Sequence, residues 1–174
     1  MSKYRVQPTG RESPMGEEEL IVSKTDPKGR ITYANHVFVR VSQFSLEELI
    51  GTPHSIVRHP DMPRCVFKLL WDTIEAKQEI FAYVLNMTKH GDYYWVLAHV
   101  TPSFDSAGNI IAYHSSRRKP DADQIAKIKP IYDSLLAEEA KFEDRKAGME
   151  SAFATMVGML SDMKMSYEEF VFTI

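Results

Sequence analysis

Between two helix-like segments the chain carries Gly51-Thr52-Pro53-His54-Ser55-Ile56-Val57-Arg58-His59-Pro60-Asp61-Met62-Pro63, a run that can be neither an ordinary helix nor a strand. Proline fixes φ, removes an N–H donor and pushes the preceding residue toward an extended backbone. Thr52, His59 and Met62 are therefore all held away from helix. Whatever fold forms must accommodate a stiff connection that carries Arg58, His59 and Asp61 within four positions. These supply a donor fork, a titratable ring and an acceptor. Two readings stand: a recognition loop for one polar ligand, since loops carry function more often than cores do, or a tight turn closed by an Asp61–Arg58 pair.

The 174 residues suit one domain, or one domain with an appendage, and can bury a proper core. A formal net charge of −3 gives no reason to expect nucleic acid or an anionic membrane as partner. No apolar run approaches the roughly 18 to 20 residues that span a bilayer, and Met1 to Glu19 lacks the apolar core of a signal peptide. A cytoplasmic protein without direct membrane insertion is expected. The single cysteine, Cys65, excludes an intramolecular disulfide and any multi-cysteine metal site.

Residues 1–19 mix Pro, Gly and charge and read as a flexible N-terminal arm or cap. Leu20 to Thr25 and Arg30 to Tyr33 read as a hairpin turned by Asp26-Pro27-Lys28-Gly29. Asn35 is placed to cap a helix over His36 to Val41, and Ser45-Leu46-Glu47-Glu48 is a capping box for a short helix that Gly51 ends. After the Pro-rich loop, Cys65 to Ala76 has the spacing of an amphipathic helix, with Phe67 and Trp71 on a neighbouring stripe. Three strand-like runs follow, Ile80 to Thr88, Tyr93 to Thr101 and Ile110 to Arg117, separated by turns at 89–92 and 106–109. This order predicts an α+β domain over residues 20–120, a five-stranded antiparallel sheet with helices on one face.

From residue 121 to 174 the pattern becomes helical. Ile125, Ile128, Tyr132, Leu135, Phe142, Met149, Phe153, Met156, Leu160, Met163, Tyr167 and Phe170 fall on alternating steps of three and four, interrupted only by Glu139 and Lys146. Pro130 is placed to kink this extension, Gly148 weakens it and Ser166-Tyr167-Glu168-Glu169 is a fresh capping box, so two or three helical pieces are expected. The seam packs either on the domain's own sheet or on another chain, a second copy included.

The motifs of phosphate cradles, serine hydrolases and zinc proteases are absent, and no nucleophile and base pair is suggested, so no enzyme is expected. His54 and His59 are five apart on a Pro-broken loop, which is not ligand spacing on a helix face. A binding site can still be assembled: Arg58 donates, Asp61 accepts, His59 does either, and Asn35 and Asn86 do both. A planar heteroaromatic ligand edged by amides and sandwiched by Phe67 or Trp71 would use that set. Asn86 lies in an otherwise apolar strand, where an inward amide needs a partner.

The same residues carry a resemblance. Asn35-x-x-Phe38, Val41-Ser42-x-Phe44-Ser45-x-Glu47-Glu48-Leu49-x-Gly51, the loop through Arg58-His59-Pro60-Asp61-Met62-Pro63, then Phe67, Trp71, Asn86 and Lys89-x-Gly91-Asp92-x-Tyr94-Trp95-Val96 resemble the FAD-binding PAS domain of Aer-type aerotaxis receptors over about residues 20–135. The resemblance implies a PAS fold and noncovalent FAD. It implies redox or energy-taxis sensing and a signal passed to a membrane-bound chemotaxis transducer. It implies flavin-pocket roles for Asn35, Arg58, His59, Asp61, Phe67, Trp71 and Asn86, and His54 of the same loop joins them as cofactor-binding. Two positions depart from that pattern: Ser55 stands where the family commonly has Asn, and Ile80 where it has Trp. A stand-alone component of a bipartite system is expected, with the helical extension as its contact surface. A haem-binding gas sensor and a cofactor-free PAS dimerisation module remain as alternatives. A flavin–cysteine photoreceptor is disfavoured because Cys65 falls later than the reactive cysteine of that family.

Overall fold

A computed structural model describes residues 6–174, so residues 1–5 of the N-terminal arm lie outside the described residues. Strands β1 (Ile21–Thr25), β2 (Ile31–Ala34), β3 (Ile80–Met87), β4 (Tyr93–Phe104) and β5 (Ile110–Arg118) form one antiparallel sheet in the order β2-β1-β5-β4-β3. Helices α1 (His36–Ser42), α2 (Leu46–Leu49) and α3 (Arg64–Glu75) lie between β2 and β3 in the chain. Helices α4 (Ala122–Glu139), α5 (Arg145–Met163) and α6 (Tyr167–Thr173) form the C-terminal extension.

The turns form for reasons visible in their residues. Asp26 Oδ1 accepts from the backbone N–H of Lys28 and Arg30, both at 2.9 Å, while Gly29 takes the left-handed conformation that closes the β1–β2 turn. Asp105 holds the β4–β5 turn in the same way through Ala107 and Asn109, and Thr88 Oγ1 does so for β3–β4. The α1 cap by Asn35 and the boxes at Ser45/Glu48 and Ser166/Glu169 are present as the sequence predicts. β4 runs three residues past its expected end at Thr101. Pro102 pairs with Tyr113 on β5, and β3 starts only opposite Val100, so the missing proline donor faces no strand.

The N-terminal segment, read from sequence as a flexible arm or cap, lies against the domain over its described part. Residues 9–15 dock along the start of β4. The N–H groups of Thr9 and Ser13 donate to the carbonyls of Gly91 and Tyr93, Ser13 Oγ donates to Val41 O at 2.7 Å, and Met15 is buried.

Successive strand residues point to opposite faces. Ala82, Val84, Asn86, Ala98, Ser115, Arg117 and Ser23 share the inner face, beneath α3. The extension takes the other side. The Tyr132 ring lies 6.0 Å from Trp95, Phe172 meets Phe81 at 4.8 Å, and the Tyr132 hydroxyl donates to Tyr83 O at 2.6 Å. It is three helices, and α4 and α5 fold back as a hairpin; a Cβ on Gly148 would stand 2.5 Å from Glu139 O. Ile128, Tyr132, Leu135 and Met156 of the seam are buried within the chain. Glu139, the charged exception in that seam, is also buried. Its carboxylate accepts from Arg64 Nε at 2.9 Å and from the backbone N–H of Cys65 at 3.0 Å. It thereby caps α3, whose N-cap position is Pro63 and offers no side-chain acceptor. Among the described residues, no helix is long and apolar enough to cross a membrane.

Candidate functional site

The Pro-rich loop is a strap across the inner side of the sheet. At one end its backbone pairs with the edge of β2, through Gly51 N to Ile31 O, Ile31 N to Thr52 O and His54 N to Gly29 O. A single 3₁₀ turn over His54–Val57 follows, and at the other end Arg58 bridges to Asn86 of β3 and Met62 Sδ of the strap accepts from the Leu85 N–H of β3. The prolines keep this strap extended, and it presents His54 and Arg58 inward.

Under the strap and α3 lies a cavity of about 290 Å³, near the low end of the roughly 300 to 1,000 Å³ usual for ligand sites. Phe67, Leu70, Trp71 and Ile74 of α3 form its roof. Ser23, Val84, Asn86, Ala98, Ser115 and Arg117 form the sheet floor, and Lys28 and Gly29 of the β1–β2 turn stand at the rim. Trp71 meets Tyr113 edge-on at 5.6 Å and closes against Gly29, where a Cβ would come within 2.9 Å of the indole.

The polar groups of this cavity are short of partners. Arg117 is 2% exposed; its guanidinium lies 4.7 Å from the Phe38 ring and its Nη2 donates to Ser23 Oγ, while Nε and Nη1 have no partner among the described residues. Arginine only donates, so Ser23 keeps its own hydrogen for His54 Nε2 at 3.2 Å. Burial, with Arg117 and Arg58 nearby, lowers the His54 pKa to about 3, so the ring is neutral. Burial also lowers Arg117, to about 10, which leaves it charged at neutral pH. Arg58 lies 3.9 Å over the face of Phe67 with its Nε buried and without a partner among the described residues. Asn86 is 4% exposed and its amide makes no side-chain hydrogen bond among the described residues. No carboxylate lines the cavity there either.

Five of the eight sequence candidates therefore line the cavity: His54, Arg58, Phe67, Trp71 and Asn86. Three do not. Asn35 is occupied by architecture, accepting from the N–H of Phe38 and Val22 and donating to Leu20 O. His59 is buried away from the cavity, with Nδ1 accepting from the Asp61 N–H at 3.0 Å, and burial lowers its pKa. Asp61 points outward with its side chain 71% exposed, 3.9 Å from His59, so the Asp61–Arg58 pair does not form. The floor residues Arg117, Ser115 and Ser23 were not singled out from sequence. An arginine inside a β-strand facing a core was the signal available for the first; the serines carry none. Cys65 is buried outside the cavity, and burial beside Glu139 raises its thiol pKa to about 12.

A layered α+β unit with an antiparallel five-stranded sheet, a helical strap and a cavity beneath it is the PAS architecture. The PAS fold family matches residues 21–114, and the chain belongs to it. The chain is similar to the aerotaxis receptor of Escherichia coli K12, 39% identical over 129 residues that make up 74% of this chain and 25% of that protein. It is also similar to the nitrogen fixation regulatory protein of Klebsiella pneumoniae, at 26% over 102 residues, covering 59% of this chain and 21% of that one. The chain thus spans about a quarter or less of these relatives. Among solved structures, the dark state of the blue-light photoreceptor Aureochrome1 LOV superposes with a TM-score of 0.54 at 27% identity, covering 71% of this chain and 86% of that one.

Proposed function

We propose that this chain is a PAS redox sensor for taxis signalling that binds FAD noncovalently and passes its state to a membrane-bound chemotaxis transducer. The observation that carries this is the donor-rich, carboxylate-free floor beneath an aromatic roof. Buried Arg58 and Arg117 nitrogens without partners and the free Asn86 amide fit the acceptor edge of a planar heteroaromatic ring between Phe67 and Trp71. The similarity to an aerotaxis receptor over three quarters of the chain supports the same reading.

FAD, when bound, supplies a ring whose hydrogen-bonding edge changes with its redox state. The chain's part is to orient that ring and to feel the change. Asn86 can present either its carbonyl or its NH₂ group. Phe67 and Trp71 sit on α3, and the N-terminus of α3 is held by Glu139 at the end of α4. A shift of α3 therefore reaches the C-terminal helices directly, and these helices are the natural contact for a partner. The deciding experiment is the ultraviolet-visible spectrum of dark-purified protein before and after dithionite, with the released chromophore identified by chromatography. Two broad bands that bleach, with FAD released, are expected. A colourless protein that refuses added FAD, or a single sharp haem band, would overturn the proposal.

A further inference from the structure

We infer that Arg117 is the specificity-determining residue of this cavity: its unpartnered Nε and Nη1 take a carbonyl or anionic edge of the bound ring. This rests on the flavin reading above and assigns a residue to it. Arg58 is only partly buried, on the strap and stacked on Phe67. Arg117 stands on β5, between β1 and β4, with its guanidinium fixed by the Phe38 face and Ser23 Oγ. Its polar neighbours, the His54 ring, the Ser23 hydroxyl and the Tyr94 hydroxyl, are neutral, the last buried without a partner among the described residues and raised in pKa by that burial; the other charged residues of the cavity, Arg58 and Lys28, are cations and supply no counter-charge. A buried cation with no counter-charge and unpaired N–H groups is costly. Only a molecule inside the cavity can supply the missing acceptors. The cavity accordingly prefers planar ligands that carry an acceptor-rich or negatively charged edge to equally large apolar rings.

The test uses the FAD-loaded protein with R117Q, R117K and, as a control, K129Q on the exposed face of α4. Affinity is read from quenching of FAD fluorescence, and contact from the ring carbonyl bands of bound, carbonyl-labelled FAD in the infrared. R117Q is expected to weaken FAD roughly 10- to 100-fold, the range for a hydrogen bond from a charged group, and to raise the carbonyl frequency. R117K should fall between, and K129Q should match the unmodified protein. A second reading needs no folded R117Q: the Nε–H resonance of Arg117, assigned by its loss in R117K, is expected to shift when apo-protein takes up FAD. Unchanged affinity and carbonyl bands in R117Q, or an unmoved Arg117 resonance in a protein that does bind FAD, would overturn this inference and leave the flavin reading standing. Failure of the unmodified protein to bind FAD would overturn both.

Discussion

Replacing Glu139 with Ala should loosen the helix that roofs the cavity without touching a cavity residue. The carboxylate is 5% exposed and serves two donors, Arg64 Nε at 2.9 Å and the Cys65 N–H at 3.0 Å. A hydrogen bond to a charged group contributes about 1.5–3 kcal/mol, and a helix cap about 1 kcal/mol. Arg64 is 23% exposed and keeps a bond to Arg145 O at 2.7 Å, so part of its loss is recovered by water. The net cost is about 2–4 kcal/mol, or roughly 5–12 °C in melting temperature for a chain of this size. Glu139→Gln retains the shape and one acceptor and should cost about 1–2 kcal/mol. Urea melts at pH 7 measure both, and a cycle with Arg64→Met should return a coupling of about 1 kcal/mol or more. Values for both variants within about 0.5 kcal/mol of the unmodified protein would refute the argument that Glu139 organises α3.

Asn35→Ala removes acceptors for two N–H groups and the donor to Leu20 O, so it should lower stability by about 2–3 kcal/mol. Once folded protein is isolated, its FAD affinity should be nearly unchanged; a selective loss of affinity by fluorescence titration would restore Asn35 to the cavity. Gly91→Ala meets both a φ of +93° and a Cβ position 2.3 Å from Gln7 O, so it should release the N-terminal segment. Faster amide exchange at Thr9 and Ser13 with an intact sheet is the expected record. His54 titrates near 6.5 when unfolded and near 3 when folded, so the unfolded chain binds more protons between these values and stability falls as pH drops below about 6.5. The slope is at most about 1.4 kcal/mol per pH unit, the limit for one proton, and solvent reaching the partly buried residue lowers it further. His54→Gln should flatten the acid limb of urea midpoints between pH 6.5 and 4.5, and an unchanged limb would count against a neutral buried ring.

The sheet, its turns and the starts of α1, α2 and α6 were legible because each rests on local chemistry: an Asp or Thr hub with glycine in the left-handed region, or a side-chain oxygen that accepts from the N–H three residues on. The site was legible only in part. The loop's composition located the strap, yet composition does not say which way each side chain turns. Alternate loop residues face opposite sides, so Arg58 enters the cavity while His59 is buried behind it and Asp61 meets water. Asn35 showed both a cap and a ligand role in sequence, and its cap bonds exhaust its amide. Arg117 and Glu139 were opaque for a common reason: each is a buried charge explained by elements far away in the chain, Ser23 and Phe38 in one case and the start of α3 in the other.

Both margins of the sheet are sealed by something other than a strand. On β2 the seal is residues 51–54 of the strap; on β3 it is the Arg58 bridge, Met62 Sδ and the Tyr132 hydroxyl. Open margins invite a neighbouring chain to add itself to the ladder, which is how aggregates and strand-swapped pairs begin. A chain sealed in this way meets partners through side chains on helices and sheet faces, and losing the extension beyond residue 121 would uncover β3 and make clumping a hazard of truncation.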